Sequence, residues 1–154
     1  VAGSDAAAKA KLVATLARFV QWPPNAFEHE TSPLRLCVFA NSPNLERAFQ
    51  DLSTSTVAGR SLQTMINPIS AVRTCHVVYV DDAVLVGSDR FLRSLAGGPA
   101  FTIGSPDGFV SEGGMIEIVQ VDNTLRFDVN LTALHNAKLG INPGVLKLAR
   151  QVRQ

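Results

Sequence analysis

Leu34-Arg35-Leu36-Cys37-Val38-Phe39-Ala40, followed at once by Asn41-Ser42-Pro43-Asn44-Leu45-Glu46-Arg47-Ala48-Phe49, is the stretch that sets the fold class. Its first half is a near-continuous apolar run, as expected of a strand buried on both faces. Ser42 then supplies a side-chain N-cap, and Pro43 takes the first helical position, where its missing N–H is no loss. Leu45, Phe49 and Leu52 recur at helical spacing and mark the face that turns inward. A buried strand that feeds a capped helix is the opening of a parallel sheet.

Working outward, Asp5 to Gln21 reads as a helix with Leu12, Leu16, Phe19 and Val20 on one face, ended by Trp22-Pro23-Pro24. On the other side, Gly59-Arg60 leads into a weaker strand, Ser61 to Ile66, and Val77 to Val80 is a second buried strand. Ser88-Asp89 caps a short helix carrying Phe91, Leu92 and Leu95, which Gly97-Gly98 stops, and Ala100 to Ile103 is one more short strand. Met115 to Val121 and Thr124 to Val129 flank Asp122-Asn123, the pattern of an antiparallel hairpin with a two-residue turn. Asn130 caps a helix through Lys138. Asn142-Pro143 starts a last helix with Val145, Leu146, Leu148 and Ala149 inward. The expectation is one α/β domain over residues 1–154. It has a central mixed, mostly parallel sheet with flanking helices and a C-terminal antiparallel hairpin.

Composition narrows the function. The 154 residues are 46% apolar, enough for a core that folds without metal or cofactor, and only 18% charged. Fourteen basic residues against thirteen acidic ones give a net charge of +1, and no two basic residues are adjacent. A nucleic-acid binder normally concentrates its basic residues on one face, so that class is set aside. No apolar run approaches the ~18 residues of a membrane-spanning helix. The chain opens at Val1 in a run of small residues, which is read as the mature start of an exported protein or as a trimmed chain.

The reactive side chains do not assemble into a recognisable engine. His29, His76 and His135 lie in no hydrolase or transferase context, and Ser111 sits in a Gly-rich loop without a Gly-x-Ser-x-Gly elbow. Gly104-Ser105-Pro106-Asp107-Gly108 follows a strand but lacks both phosphate-binding fingerprints, and reads as a turn-rich connection. Cys37, Cys75 and His76 lack the paired short spacing of a zinc site. Asp81-Asp82 reads as a solvated turn, and Asp128 as a strand carboxylate whose companion is Arg126 on the same face. Cys37 and Cys75 lie in two core strands, and spacing leaves two readings open, a disulfide or two buried thiols. No enzyme, metal or cofactor is expected.

Several segments together carry a resemblance. They are Leu16-Ala17-Arg18-Phe19-Val20-Gln21-Trp22-Pro23, Leu34 to Val38, Cys75-His76-Val77-Val78-Tyr79-Val80, Gly113-Gly114-Met115-Ile116, Leu125 to Leu131, and Gly144 to Arg150. In order and spacing the chain resembles the YfiR family of periplasmic proteins over nearly its whole length. The resemblance implies export to the periplasm, with a signal peptide removed, and a regulatory role without catalysis. It implies repression of a YfiN-type inner-membrane diguanylate cyclase through its periplasmic region, and relief by a YfiB-type peptidoglycan-associated lipoprotein. Cyclic di-GMP and biofilm formation are the output, and a homodimer is the expected free state.

It also implies a Cys37–Cys75 disulfide, and partner contacts at Ser111, Asp128, Asn136 and Asn142, two of which differ in residue type from the family's type member. Val110 and Glu117 stand where that member has a further cysteine pair, so a second disulfide is impossible here. Leu139-Gly140-Ile141-Asn142-Pro143 replaces a more basic loop. The alternative from another class is a periplasmic sensor that binds an amino acid or aromatic metabolite in an apolar cleft.

Overall fold

The computed structural model describes residues 2–54, 56–57, 59–68, 73–81 and 100–153, and the helix expected around Ser88–Leu95 lies outside them. The chain begins with α1 (Ala2–Arg18), β1 (Val20–Gln21) and β2 (Leu34–Phe39). Next come α2 (Pro43–Gln50), β3 (Thr56–Val57), β4 (Arg60–Ile66), β5 (Val77–Val80) and β6 (Phe101–Gly104). The C-terminal part holds β7 (Ile116–Val121), β8 (Thr124–Asn130), α3 (Leu131–Asn136), β9 (Gly140–Ile141), α4 (Pro143–Leu148) and β10 (Gln151–Arg153).

Eight strands form one mixed sheet in the order β10-β8-β7-β6-β5-β2-β4-β3. Neighbours run parallel except in the β7–β8 and β3–β4 pairs. The single α/β domain and the mostly parallel sheet are therefore as the sequence predicts. The opening strand and helix behave as read. The Ser42 hydroxyl accepts from the Leu45 N–H at 3.4 Å, and Leu45 and Phe49 are buried. The Asn130 carboxamide caps α3 through the Ala133 N–H at 3.1 Å. The hairpin turn has Asp122 at φ 50° and Asn123 at φ 64°, the two left-handed residues that a tight turn needs to match the strands' twist.

Alternation along the strands gives the sheet two faces. Leu34, Leu36, Val38, Tyr79, Ile103, Ile116 and Val129 pack against Val13 and Leu16 of α1 and Leu45 and Phe49 of α2 in the main core. Tyr79 and Phe49 meet with ring centroids 5.1 Å apart. Cys37, Phe39, Cys75, Val78, Val80, Ala100 and Phe109 make a second cluster on the opposite face. Burying each such side chain contributes about 1.5–3 kcal/mol before the cost of ordering it. Phe109 lies over the backbone of Gly104 and Gly114, where any Cβ would run into its ring.

Three expectations fail for tertiary reasons. The first helix stops at Arg18, and Phe19 is 40% exposed instead of inward. Val20 and Gln21 leave the helix to pair antiparallel with Ile141 and Gly140, which gives their backbone groups partners that a helix end would lack. Leu148 is 67% exposed, because α4 ends there and the chain turns out to the sheet edge. That edge strand, β10, runs parallel to β8 and was not anticipated, since three exposed residues carry no strand pattern.

Candidate functional site

Two corners of the sheet hold Cys37, Cys75 and His76 on one side and Ser111 and Asp128 on the other. At the first, Cys37 of β2 and Cys75, just ahead of β5, are joined by a disulfide with their Cα atoms 6.0 Å apart. The parallel register that sets Leu36 beside Val77 brings them together. Both cysteines are buried. His76 follows. Its Nδ1 accepts from the Arg35 N–H at 2.9 Å, and its Nε2 lies 2.9 Å from the Ala26 carbonyl, so Nε2 carries the proton and the ring is neutral. Burial pushes its pKa below the usual histidine value, and nearby Arg35 and Arg60 push the same way against the Ala26 bond.

Phe27 stacks on that imidazole with centroids 4.2 Å apart. Arg60 lies 3.6 Å over the Phe27 ring and donates to the carbonyls of His29 and Ser32. Trp22 Nε1 donates to the His76 carbonyl at 3.3 Å. With both sulfurs bonded to each other and both ring nitrogens in use, the imagined Cys37–Cys75–His76 metal set has no free donor atom. Among the described residues no group of three or more histidine, cysteine and acidic side chains is placed to hold a metal.

The second corner is built by the hairpin. A two-residue turn at 122–123 sets Glu117 opposite Asp128. Both carboxylates are buried. Arg150 reaches Asp128 with Nε to Oδ1 at 2.9 Å and Nη2 to Oδ2 at 2.7 Å, a two-pronged pair. Those hydrogen bonds and the carboxylate charge hold the guanidinium proton even more firmly than usual. Arg126, the expected companion, is exposed. Arg150 wins because its N–H bonds the Phe127 carbonyl at 2.7 Å, which lays residue 150 alongside β8.

Glu117 Oε1 accepts from the Val110 N–H at 3.2 Å, and Asn130 donates to the Val110 carbonyl at 3.0 Å. The peptide groups on both sides of Val110 are thus pinned by two strands. The two positions aligned with the type member's extra cysteine pair are neighbours in space, joined here by a hydrogen bond.

Ser111, next to Val110, is exposed and shares this corner. Asp128 is buried, so Arg150 is what that pair shows to solvent. Asn136 ends α3 and is exposed. Asn142 is exposed and caps α4, its Oδ1 accepting from the Gly144 N–H at 2.8 Å. Among the described residues no hydrogen bond ties Asn136 or Asn142 to the Ser111–Asp128 corner.

Sequence reasoning missed Glu117 although a signal existed, because counting back from the turn sets it opposite Asp128. No local signal marks Arg150. Asp81 also departs from its expected solvated turn. It is buried at the C-terminal end of β5, and its Oδ1 accepts from the Tyr79 hydroxyl at 3.0 Å and from Lys9 at 3.5 Å. Those partners satisfy the buried carboxylate oxygen, which would otherwise cost desolvation energy. Asp82 lies outside the described residues.

Over residues 6–150 the chain matches the family described as YfiR/HmsC-like. No curated protein matches it. Among solved structures it is similar to the ABC domain in complex with L-Trp from Streptococcus pneumonia, at 15% identity and a TM-score of 0.63 over 93% of this chain. It is also similar to a conserved domain protein from Vibrio cholerae O1 biovar eltor, at 12% identity and a TM-score of 0.61 over 96% of this chain. The chain spans 60% of the length of each of those two, and the likeness is one of fold.

Proposed function

The chain belongs to the YfiR/HmsC-like family, and on that premise we propose that it is a periplasmic regulator that represses a YfiN-type membrane diguanylate cyclase by binding its periplasmic region. The observation that carries this reading is the family match across residues 6–150. It supports a periplasmic regulatory role, by binding and not by turnover, with a membrane-associated signalling protein as partner. Repression works through differential affinity. A protein that binds one state of the cyclase more tightly shifts its equilibrium by that difference and no more. A YfiB-type lipoprotein that competes for the same surface releases the cyclase and raises cyclic di-GMP, and with it biofilm formation. The proposed contact surface comprises Ser111 and Asp128, the latter showing its partner Arg150 to solvent, together with Asn136 and Asn142. A homodimer is the proposed free state, and residues 1–154 are proposed to act as one unit.

The test is binding of the oxidised protein to the periplasmic domain of a YfiN-type cyclase, with and without thiol reductant. Saturable binding that weakens on reduction is expected. Absence of binding in both states sinks the cyclase assignment. A second reading, a periplasmic sensor of an amino acid or aromatic metabolite, draws on a cleft beside Cys75. It also draws on the use of a similar fold by a protein that holds L-Trp. Partner binding that depends on an added metabolite would favour it.

A further inference from the structure

Beside the disulfide, at the N-terminal ends of β2 and β5, a cleft of about 240 Å³ is lined by Ser32, Arg35 and Arg73, with Glu28 as the one carboxylate among the described residues that line it. Phe27 and His76 complete its wall. Strand alternation sets Arg35 on the same face as Cys37. Among the described residues neither Arg35 nor Arg73 has an ion-pair partner. Two arginines without an ion-pair partner therefore line one small volume.

The rest of the wall adds few acceptors. Both nitrogens of His76 are occupied, so the ring neither accepts from nor repels a ligand. The Ser32 hydroxyl already accepts from the His29 N–H at 3.0 Å and keeps its own proton to donate, while its carbonyl is taken by Arg60. Donors and positive charge are thus in excess, and the complement of planar forks is an oxygen-rich anion. The wall is also stiff. Phe27 is held between His76 and Arg60, and Cys75 is tied to Cys37. A site already held in shape spends little binding energy on ordering itself.

We propose that this cleft binds the carboxylate or phosphate group of a small molecule, with Arg35 and Arg73 as the anion's two anchors. The proposal is independent of the cyclase reading and would give the sensor reading a ligand class.

The test uses the oxidised full chain with inorganic phosphate and succinate as separate probes, titrated at constant ionic strength by calorimetry and by amide chemical shifts. Saturable binding of either probe is expected, with the largest shifts at Arg35, Thr74 and Cys75. Phosphate alone would identify a phosphate-bearing ligand, and succinate alone a carboxylate-bearing one. Arg35→Gln and Arg73→Gln should each raise Kd at least about tenfold, the equivalent of ~1.4 kcal/mol. Arg126→Gln, an exposed control away from the cleft, should leave Kd unchanged. Circular dichroism checks that each variant folds, and the wild-type shift map needs no variant. No saturable binding of either probe overturns the proposal. So do shifts mapping elsewhere, or a Kd indifferent to both arginine changes. None of those results bears on cyclase binding, which is measured separately.

Discussion

The two corners of the sheet are fastened by different physics. At the Cys37 corner the chain is closed by a covalent bond and backed by the stacked layers of His76, Phe27 and Arg60. At the Asp128 corner a loop is held by buried carboxylates, one arginine, and a phenylalanine seated on glycine backbone. One corner therefore answers to electrons and protons, the other to packing and charge. A regulator built this way can have one end loosened while the other stays shut.

The largest expected effect separates the corners by redox. Cys37 and Cys75 are 38 residues apart, and closing a loop of that length stabilises the fold by about 4 kcal/mol on the chain-entropy estimate. Thiol reductant, or Cys37→Ala with Cys75→Ala, should lower Tm by about 10 °C. A scanning calorimetry trace unchanged by reductant would remove the contrast between the two corners.

Next in size is Phe109→Ala. This side chain is 1% exposed, and its loss should cost about 3 kcal/mol, read as a lower urea midpoint. The Gly104 and Gly114 backbones would lose their cover. Proteolysis should then cut first in the 105–114 loop. First cuts elsewhere would mean that Phe109 does not hold that loop.

Arg150→Gln should have a smaller effect. The Arg150 side chain is 40% exposed, so water can reach Asp128 once it leaves. Stability should fall modestly, and the effect should be additive with disulfide loss, because the two corners share no partner. Strong coupling in a double-mutant cycle would show that the corners act as one unit. On the proposed function, cyclase binding should also weaken in this variant, since Arg150 is the part of the pair that faces solvent.

The smallest effect is in pH. His76 has its folded pKa lowered below the unfolded value of about 6.5. The unfolded chain therefore binds the proton first, and stability rises with pH across that interval. The contribution of the neutral ring is complete above the unfolded pKa and is lost as pH falls through the folded one. Tm should drop as pH is lowered below about 6.5, and His76→Gln should flatten that slope. An unchanged slope in the variant would assign the pH response to other groups.

Much of this was legible without coordinates. The Ser42 cap, the Asn130 cap and the hairpin at Asp122-Asn123 are local, and each was read from a few adjacent residues. The same turn counts out the Glu117–Asp128 pairing, which makes half of the second corner readable in principle. The fate of Phe19 was not readable, because its helical spacing is genuine. Pairing of the next two residues, Val20 and Gln21, with Ile141 and Gly140 far downstream outcompetes one more helical turn there. Asp128 looked like a match for Arg126 for the same reason, since spacing proposes neighbours and only packing selects among them.

By itself the sequence determined the class of the fold, the order of its main strands and helices, its caps and its hairpin register. Those follow from periodicity and from the conformational limits of proline, glycine, asparagine and aspartate, which act over a few residues. Tertiary structure alone decided the β1–β9 and β10–β8 pairings, the Arg150–Asp128 pair, the neutral tautomer of His76 and the meeting of Arg35 and Arg73 at one cleft. Each depends on groups far apart in the chain. Their meeting is set by the total free energy of the packed sheet, and no local pattern encodes it.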